Sequence, residues 1–204
     1  MVELVTDRHI RQATEEDRRA LFDICLRTAD GGDDGSELYS DPRLPGYVWA
    51  APYLTCAPAF AFVLVGGGRV LGYTLAAPDT AAFAERLEQA WWPRVRRDVA
   101  GLVPTRPGDA AILEHIARPD PWPAWLLADY PAHMHINILA DAQSAGWGRR
   151  MIAAGLAALT AAGIAGVHLW LDPRNERAKG FYRHLGFEDV SRDGHVIFAT
   201  RLDV

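Results

Sequence analysis

The chain has 204 residues, half of them hydrophobic and 23% charged, with a net charge of −5. That length suits one domain spanning residues 1–204 with a substantial core, and the acidic balance argues against a general nucleic-acid binder. No apolar run approaches a bilayer span, and the opening Met1-Val2-Glu3-Leu4 is soon followed by charged Asp7-Arg8, so a cytoplasmic protein without membrane attachment is expected.

In chain order, His9 to Ala13 alternates as a first strand. Thr14 then caps a helix with acids in its first turn, and Leu21, Ile24, Cys25 and Thr28 carry helical spacing to about Ala29. Asp30 to Gly35 is a polar loop, and an irregular stretch with Tyr39, Pro42, Pro45, Tyr47 and Trp49 follows. Ala59 to Val65 and Arg69 to Ala76 form a hairpin turned by glycines. Asp79 to Asp129 is the least regular part, with helical character at Thr80 to Ala90 and Trp125 to Asp129; its tryptophans suit a core better than a pocket wall.

The last third is clearer. His133 to Leu139 reads as a strand, Ala145 to Ala162 as a helix and Gly166 to Leu171 as a strand. A helix from about Glu176, capped by Asn175, ends at Gly186-Phe187, and a strand pair closes around Asp193-Gly194. An antiparallel meander followed by βαβ predicts an α/β fold with a mixed, largely antiparallel sheet of about seven strands, flanked by helices. A helical or irregular insertion, residues 79–130, separates the third and fourth strands.

Cys25 and Cys56 lie far apart without metal-ligand spacing and read as buried thiols; no metal site is expected. The run Gln143-Ser144-Ala145-Gly146-Trp147-Gly148-Arg149-Arg150 joins a strand to a helix start. Unpaired backbone N–H groups there, with the positive end of the helix dipole, make an anion site, and Gly146 and Gly148 admit close approach. An ordinary strand-to-helix turn flanked by solvated arginines is the competing reading. On the last helix Ala178, Phe181, Tyr182 and Leu185 share a face; Tyr182 stands out because its hydroxyl needs a partner. A dinucleotide fingerprint is absent, since the Gly-x-Gly-x-x-Gly spacing is missing.

Together these elements resemble the GNAT family of acyl-CoA-dependent acyltransferases. The likeness rests on Gln143, Gly146, Gly148, Asn175, Ala178, Tyr182, Gly186 and Phe187, in family order and spacing. Ala61 to Val65, Val70-Leu71-Gly72-Tyr73, Asp79, Phe83, Trp92-Pro93 and Tyr130-Pro131 are also similar to the acetyltransferase-like C-terminal domain of O-GlcNAcase and its stand-alone bacterial relatives. That likeness implies an insertion capping the active site.

The resemblance implies acetyl-CoA as cosubstrate and direct transfer of an acetyl group to a small-molecule or peptide amine, by a monomer or homodimer. Backbone at Ile138 and Leu139 would pair with the pantetheine arm. The N–H groups of Ser144, Ala145, Gly146, Trp147, Gly148 and Arg149, with Gln143, would hold the pyrophosphate, and Asn175 and Ala178 would flank the coenzyme. Tyr182 would be the general acid on the leaving thiolate. His133 and His135 lie on one side of their strand and are candidate bases, with surface or structural roles as alternatives. Asp79, Glu114 and Asp129 are further candidates, reachable only if the insertion folds over the site. A coenzyme-binding module without turnover is the alternative function.

Overall fold

In the computed structural model, which describes residues 8–143 and 145–203, seven strands form one sheet. The strands are β1 (His9–Gln12), β2 (Ala61–Gly66), β3 (Arg69–Ala77), β4 (Ala132–Ile138), β5 (Gly166–Leu171), β6 (Glu188–Asp189) and β7 (Val196–Arg201), in the order β1-β2-β3-β4-β5-β7-β6. Every neighbouring pair is antiparallel except β4 and β5. The mixed, largely antiparallel sheet expected from the strand pattern is therefore present.

The β4–β5 pairing is short. Only Ala132 with Val167 and His133 with His168 are in register, whereas β4 stays paired with β3 along its length and β5 stays paired with β7. Beyond His133 the two central strands part and leave a gap in the sheet.

Strand alternation sorts the side chains onto two faces. Tyr73, Leu75, His133, His135, Asn137, His168 and Trp170 lie on one face, whose core is shared with α1 (Arg18–Leu26), α2 (Leu44–Trp49), α3 (Ala51–Cys56) and the insertion. Ala76, Met134, Ile136, Val167 and Leu169 lie on the other, under α8 (Trp147–Ala161) and α9 (Glu176–His184).

The insertion between β3 and β4 is more helical than its composition suggests. It holds α4 (Thr80–Arg86), a π-helical turn (Leu87–Trp91), α5 (Trp92–Asp98), α6 (Asp109–Ala117) and α7 (Ala124–Asp129). The stretch expected to be irregular around Pro45 is likewise two helices, α2 and α3. Pro45, Pro52 and Pro93 each occupy a first helical turn, where a missing N–H costs nothing, so these prolines start helices rather than break them. Trp91 and Trp92 are buried in the core, as their composition suggested. No helix among the described residues is long and apolar enough to cross a membrane.

Candidate active site

A cavity of about 800 Å³ passes through the gap between β4 and β5, with walls from both faces of the sheet. On the α8–α9 side the wall begins at the turn into α8. Ala145 and Gly146 have φ of +54° and +75°, and these two left-handed residues swing the chain into the helix. Gly146 is the N-cap and no side chain caps the helix, so the N–H groups of its first turn stay unpaired within it. Fifteen residues of aligned peptide dipoles place positive potential at that end. Ser144 lies outside the described residues.

Gly148 has a second reason to be glycine. A Cβ there would stand 3.1 Å from the Phe181 ring, so the position sets the approach of α9 to α8 as well as access to the helix end. Gln143 is tied down on both sides: its Nε2 donates to the Ile138 carbonyl at 2.7 Å and its Oε1 accepts from Arg177 at 2.6 Å. Arg149 reaches His184 Nε2 at 3.1 Å, and Arg150 lies over the Trp147 ring at 4.6 Å. Arg149 and Arg177 both line the cavity, and neither meets a carboxylate in these contacts. Arg177 carried no signal in the sequence, because the spacing that marks Asn175 and Tyr182 says nothing of it.

Of the two strand positions expected to meet the pantetheine arm, Ile138 lines the cavity. The Leu139 N–H donates to the Leu71 carbonyl at 2.9 Å, which turns it toward β3, and Leu139 does not line the cavity. The same hydrogen bond fixes the phase of the strand: backbone groups of Ile136 and Ile138 point the opposite way, into the gap. Asn175 caps α9, its Oδ1 accepting from the Ala178 N–H at 2.9 Å, and both residues line the cavity. Tyr182 also lines it, with its ring buried among Phe181, Phe187 and Phe198. Burial raises the Tyr182 phenol well above its ordinary range, so it holds its proton at neutral pH.

The two histidines differ. His133 is buried and absent from the cavity wall. The Thr80 hydroxyl donates to the Pro131 carbonyl at 2.7 Å, so it accepts from His133 Nδ1–H at 2.8 Å; Nε2 then accepts from the Tyr53 hydroxyl at 2.7 Å. Both ring nitrogens are engaged, and Trp122 stacks on the ring. That arrangement fits structure rather than proton transfer. His135 is half-buried, lines the cavity and stands edge-on to Tyr53; burial pushes its pKa down to about 4, which leaves it neutral at pH 7.

The remaining carboxylate candidates are elsewhere. Asp79 caps α4, Asp129 pairs with Arg201, and Glu114 is exposed on α6. No residue of the insertion lines the cavity, so it does not cap the site; it packs its apolar side chains beside α1, α2 and α3 instead. The part of the wall that sequence reasoning missed comes from α1, the loop after it and α2: Cys25, Thr28, Gly31, Gly32 and Trp49, with Asn137 and Trp170 from the strands. Asn137 Nδ2 donates to the Thr28 hydroxyl and ties that loop to β4. Burial pushes the Cys25 thiol up to about 12, which keeps it from serving as a thiolate nucleophile.

The family model of the acetyltransferase (GNAT) family matches residues 27–187. Among solved structures, SsHAT is 34% identical, with 97% of this chain and 99% of that one covered and a TM-score of 0.88. A PaiA N-acetyltransferase from Thermoplasma acidophilum in complex with coenzyme A is 10% identical, with 96% and 99% covered and a TM-score of 0.58. A phosphinothricin acetyltransferase from Sinorhizobium meliloti in complex with AcCoA is 14% identical, with 96% and 88% covered and a TM-score of 0.58. At those identities the last two show the shared fold, while the family match spans the β4–β5 gap, the turn into α8 and Tyr182. The chain belongs to the acetyltransferase (GNAT) family.

Proposed function

We propose that this protein is an acetyl-CoA-dependent N-acetyltransferase that passes the acetyl group directly to a primary amine. The observation that carries the reading is the cavity through the parted strands, with the open end of α8 at one wall and Tyr182 and His135 on opposite faces of the sheet. Acetyl-CoA fits the residues present. The volume lies in the upper range of small-molecule pockets, and a polyanionic head meets unpaired N–H groups and the Arg149 and Arg177 guanidiniums. Bound there, the thioester supplies an activated acetyl group.

The chain's own residues divide the work. First-turn N–H groups of α8 hold the pyrophosphate, and the backbone of Ile136 and Ile138 aligns the extended arm as an added strand would. Tyr182, kept protonated by burial, gives a proton to the departing sulfur. His135 offers a neutral ring nitrogen for the proton lost by the amine. Cys25 stays a thiol, in keeping with transfer that needs no acyl-enzyme.

A second reading, coenzyme binding without turnover, is favoured by one feature. Asp172 is the one carboxylate in the cavity wall among the described residues, and Arg174 holds it at 2.7 Å. Calorimetric titration with acetyl-CoA followed by thiol release over a panel of amines separates the two. Acetyl-CoA binding with amine-dependent thiol release supports the enzyme; binding without release on every amine supports the module.

A further inference from the structure

The backbone edge that the coenzyme arm would use is already engaged at one point. Ile138 ends β4, and its carbonyl, pointing into the gap, accepts from Gln143 Nε2 at 2.7 Å. The same Gln143 amide accepts through Oε1 from the Arg177 guanidinium at 2.6 Å. Gln143 follows β4, and Arg177 lies in the first turn of α9, which follows β5. These groups form one hydrogen-bonded chain across the open end of the gap, from β4 backbone to α9. All three residues line the cavity.

A glutamine suits the middle of such a chain, because its amide offers a donor to the carbonyl and an acceptor to the cation. The outer end is bounded by the loop after α1. A Cβ at Gly32 would stand 3.2 Å from an Arg177 nitrogen and 3.0 Å from Asn175 Nδ2, and its φ of +101° disfavours any side chain. The donor that a carbonyl meets lies where the carbonyl points, so the Gln143 amide stands in the path of an arm pairing with β4. A phosphate can hold a guanidinium by opposite charge and two parallel hydrogen bonds, which one neutral amide oxygen cannot match.

We propose that Gln143 and Arg177 form a latch on the coenzyme channel, opened when a coenzyme phosphate draws Arg177 away and lets the Gln143 amide leave the Ile138 carbonyl. The latch makes binding of the arm depend on the phosphates, and so selects the whole coenzyme over phosphate-free acyl thioesters. The inference rests on the coenzyme reading and adds a specificity-determining pair to it.

The test titrates acetyl-CoA and acetyl-pantetheine, which carries the same arm without phosphates, into wild type, Arg177→Ala and Gln143→Ala by calorimetry. Arg177→Ala should move the two ligands in opposite directions. Acetyl-CoA loses a phosphate partner and should bind about tenfold more weakly. Acetyl-pantetheine, no longer facing an anchored amide, should bind about threefold to tenfold more tightly. Gln143→Ala removes the latch and keeps Arg177, so both ligands should tighten by about threefold to tenfold. An arginine that only anchors phosphate would leave acetyl-pantetheine unmoved in Arg177→Ala, and a glutamine that only braces the turn would weaken both ligands in Gln143→Ala. Either result overturns the latch, as does acetyl-pantetheine binding too weak to measure in all three proteins; acetyl-CoA binding by the wild type then keeps the coenzyme reading intact. Arg177 is exposed, so its variant decides the question if Gln143→Ala does not fold. No acetyl-CoA binding by the wild type removes the coenzyme reading, and the latch with it.

Discussion

The two sides of the central sheet solve different problems. Under α8 and α9 the wall comes from Gln143 with 145–149 and from positions within 175–185, with the neighbouring strand positions, and the open helix end contributes backbone N–H groups. Opposite, under α1 to α3, side chains from α1, the loop after it, α2, β4 and β5 meet. A group fixed in chemistry, such as a pyrophosphate, can be held by peptide N–H groups at a helix end, which depend on local geometry alone. A variable partner has to be met by side chains, and those are brought together from distant parts of the chain.

The comparison breaks most clearly at Tyr182, the residue that reaches the gap from the backbone-rich side. Tyr182→Phe should lower kcat by about 10²–10³-fold, within the range of general-acid contributions, while leaving acetyl-CoA affinity within about twofold. Steady-state kinetics with a parallel calorimetric titration checks this, and unchanged turnover would remove Tyr182 from the chemistry. Next is Gly146→Asp. A carboxylate at the N-cap would take the first-turn N–H groups for itself and repel an anion, so acetyl-CoA affinity should fall about 100-fold. Wild-type affinity in that variant would mean that the helix end is not the anion site.

On the side-chain side the expected effects are on stability. His133→Ala strands the buried Tyr53 and Thr80 hydroxyls and should cost about 2–4 kcal/mol, near 8 °C in Tm, with acetyl-CoA affinity unchanged. His135→Ala should instead lower the rate with little change in Tm. Calorimetry and kinetics on both variants test the division of roles, and a reversed pattern would refute it.

The smallest effect is the pH response. His133, His135 and His168 have folded pKa values below the unfolded value of about 6.5. Between those values the unfolded chain binds protons that the native state refuses, so stability is full above pH 6.5 and is lost as pH falls toward 4. From pH 7 to 6 the three histidines should lower Tm by roughly 4 °C, as read by differential scanning calorimetry. A flat profile would mean that these rings take up protons in the native state.

What could be read from the chain before folding follows the same division. Gln143, Gly146 and Gly148 marked an anion site and Asn175 a helix cap because their geometry is set by neighbours a few residues away. His133 and His135 looked equivalent, two residues apart on one strand face. Tyr53 and Thr80, from distant segments, engage both nitrogens of the first and leave the second at the cavity. Leu139 is grouped with Ile138 by the family resemblance, yet its N–H goes to Leu71 of β3. Pro45, in the stretch expected to be irregular, opens α2 for a related reason: whether a proline breaks a helix or opens one depends on where the helix starts, and packing decided that here.

The sequence by itself determined the strand pattern, the turn into α8 and the spacing from Asn175 to Tyr182, all governed by local backbone preference and side-chain periodicity. The tertiary structure decided that β4 and β5 part after His133, that the insertion stays clear of the cavity, and that Thr28, Trp49 and Arg177 join its wall. Those outcomes depend on which distant segments pack together, and no local spacing encodes a contact between residues a hundred positions apart.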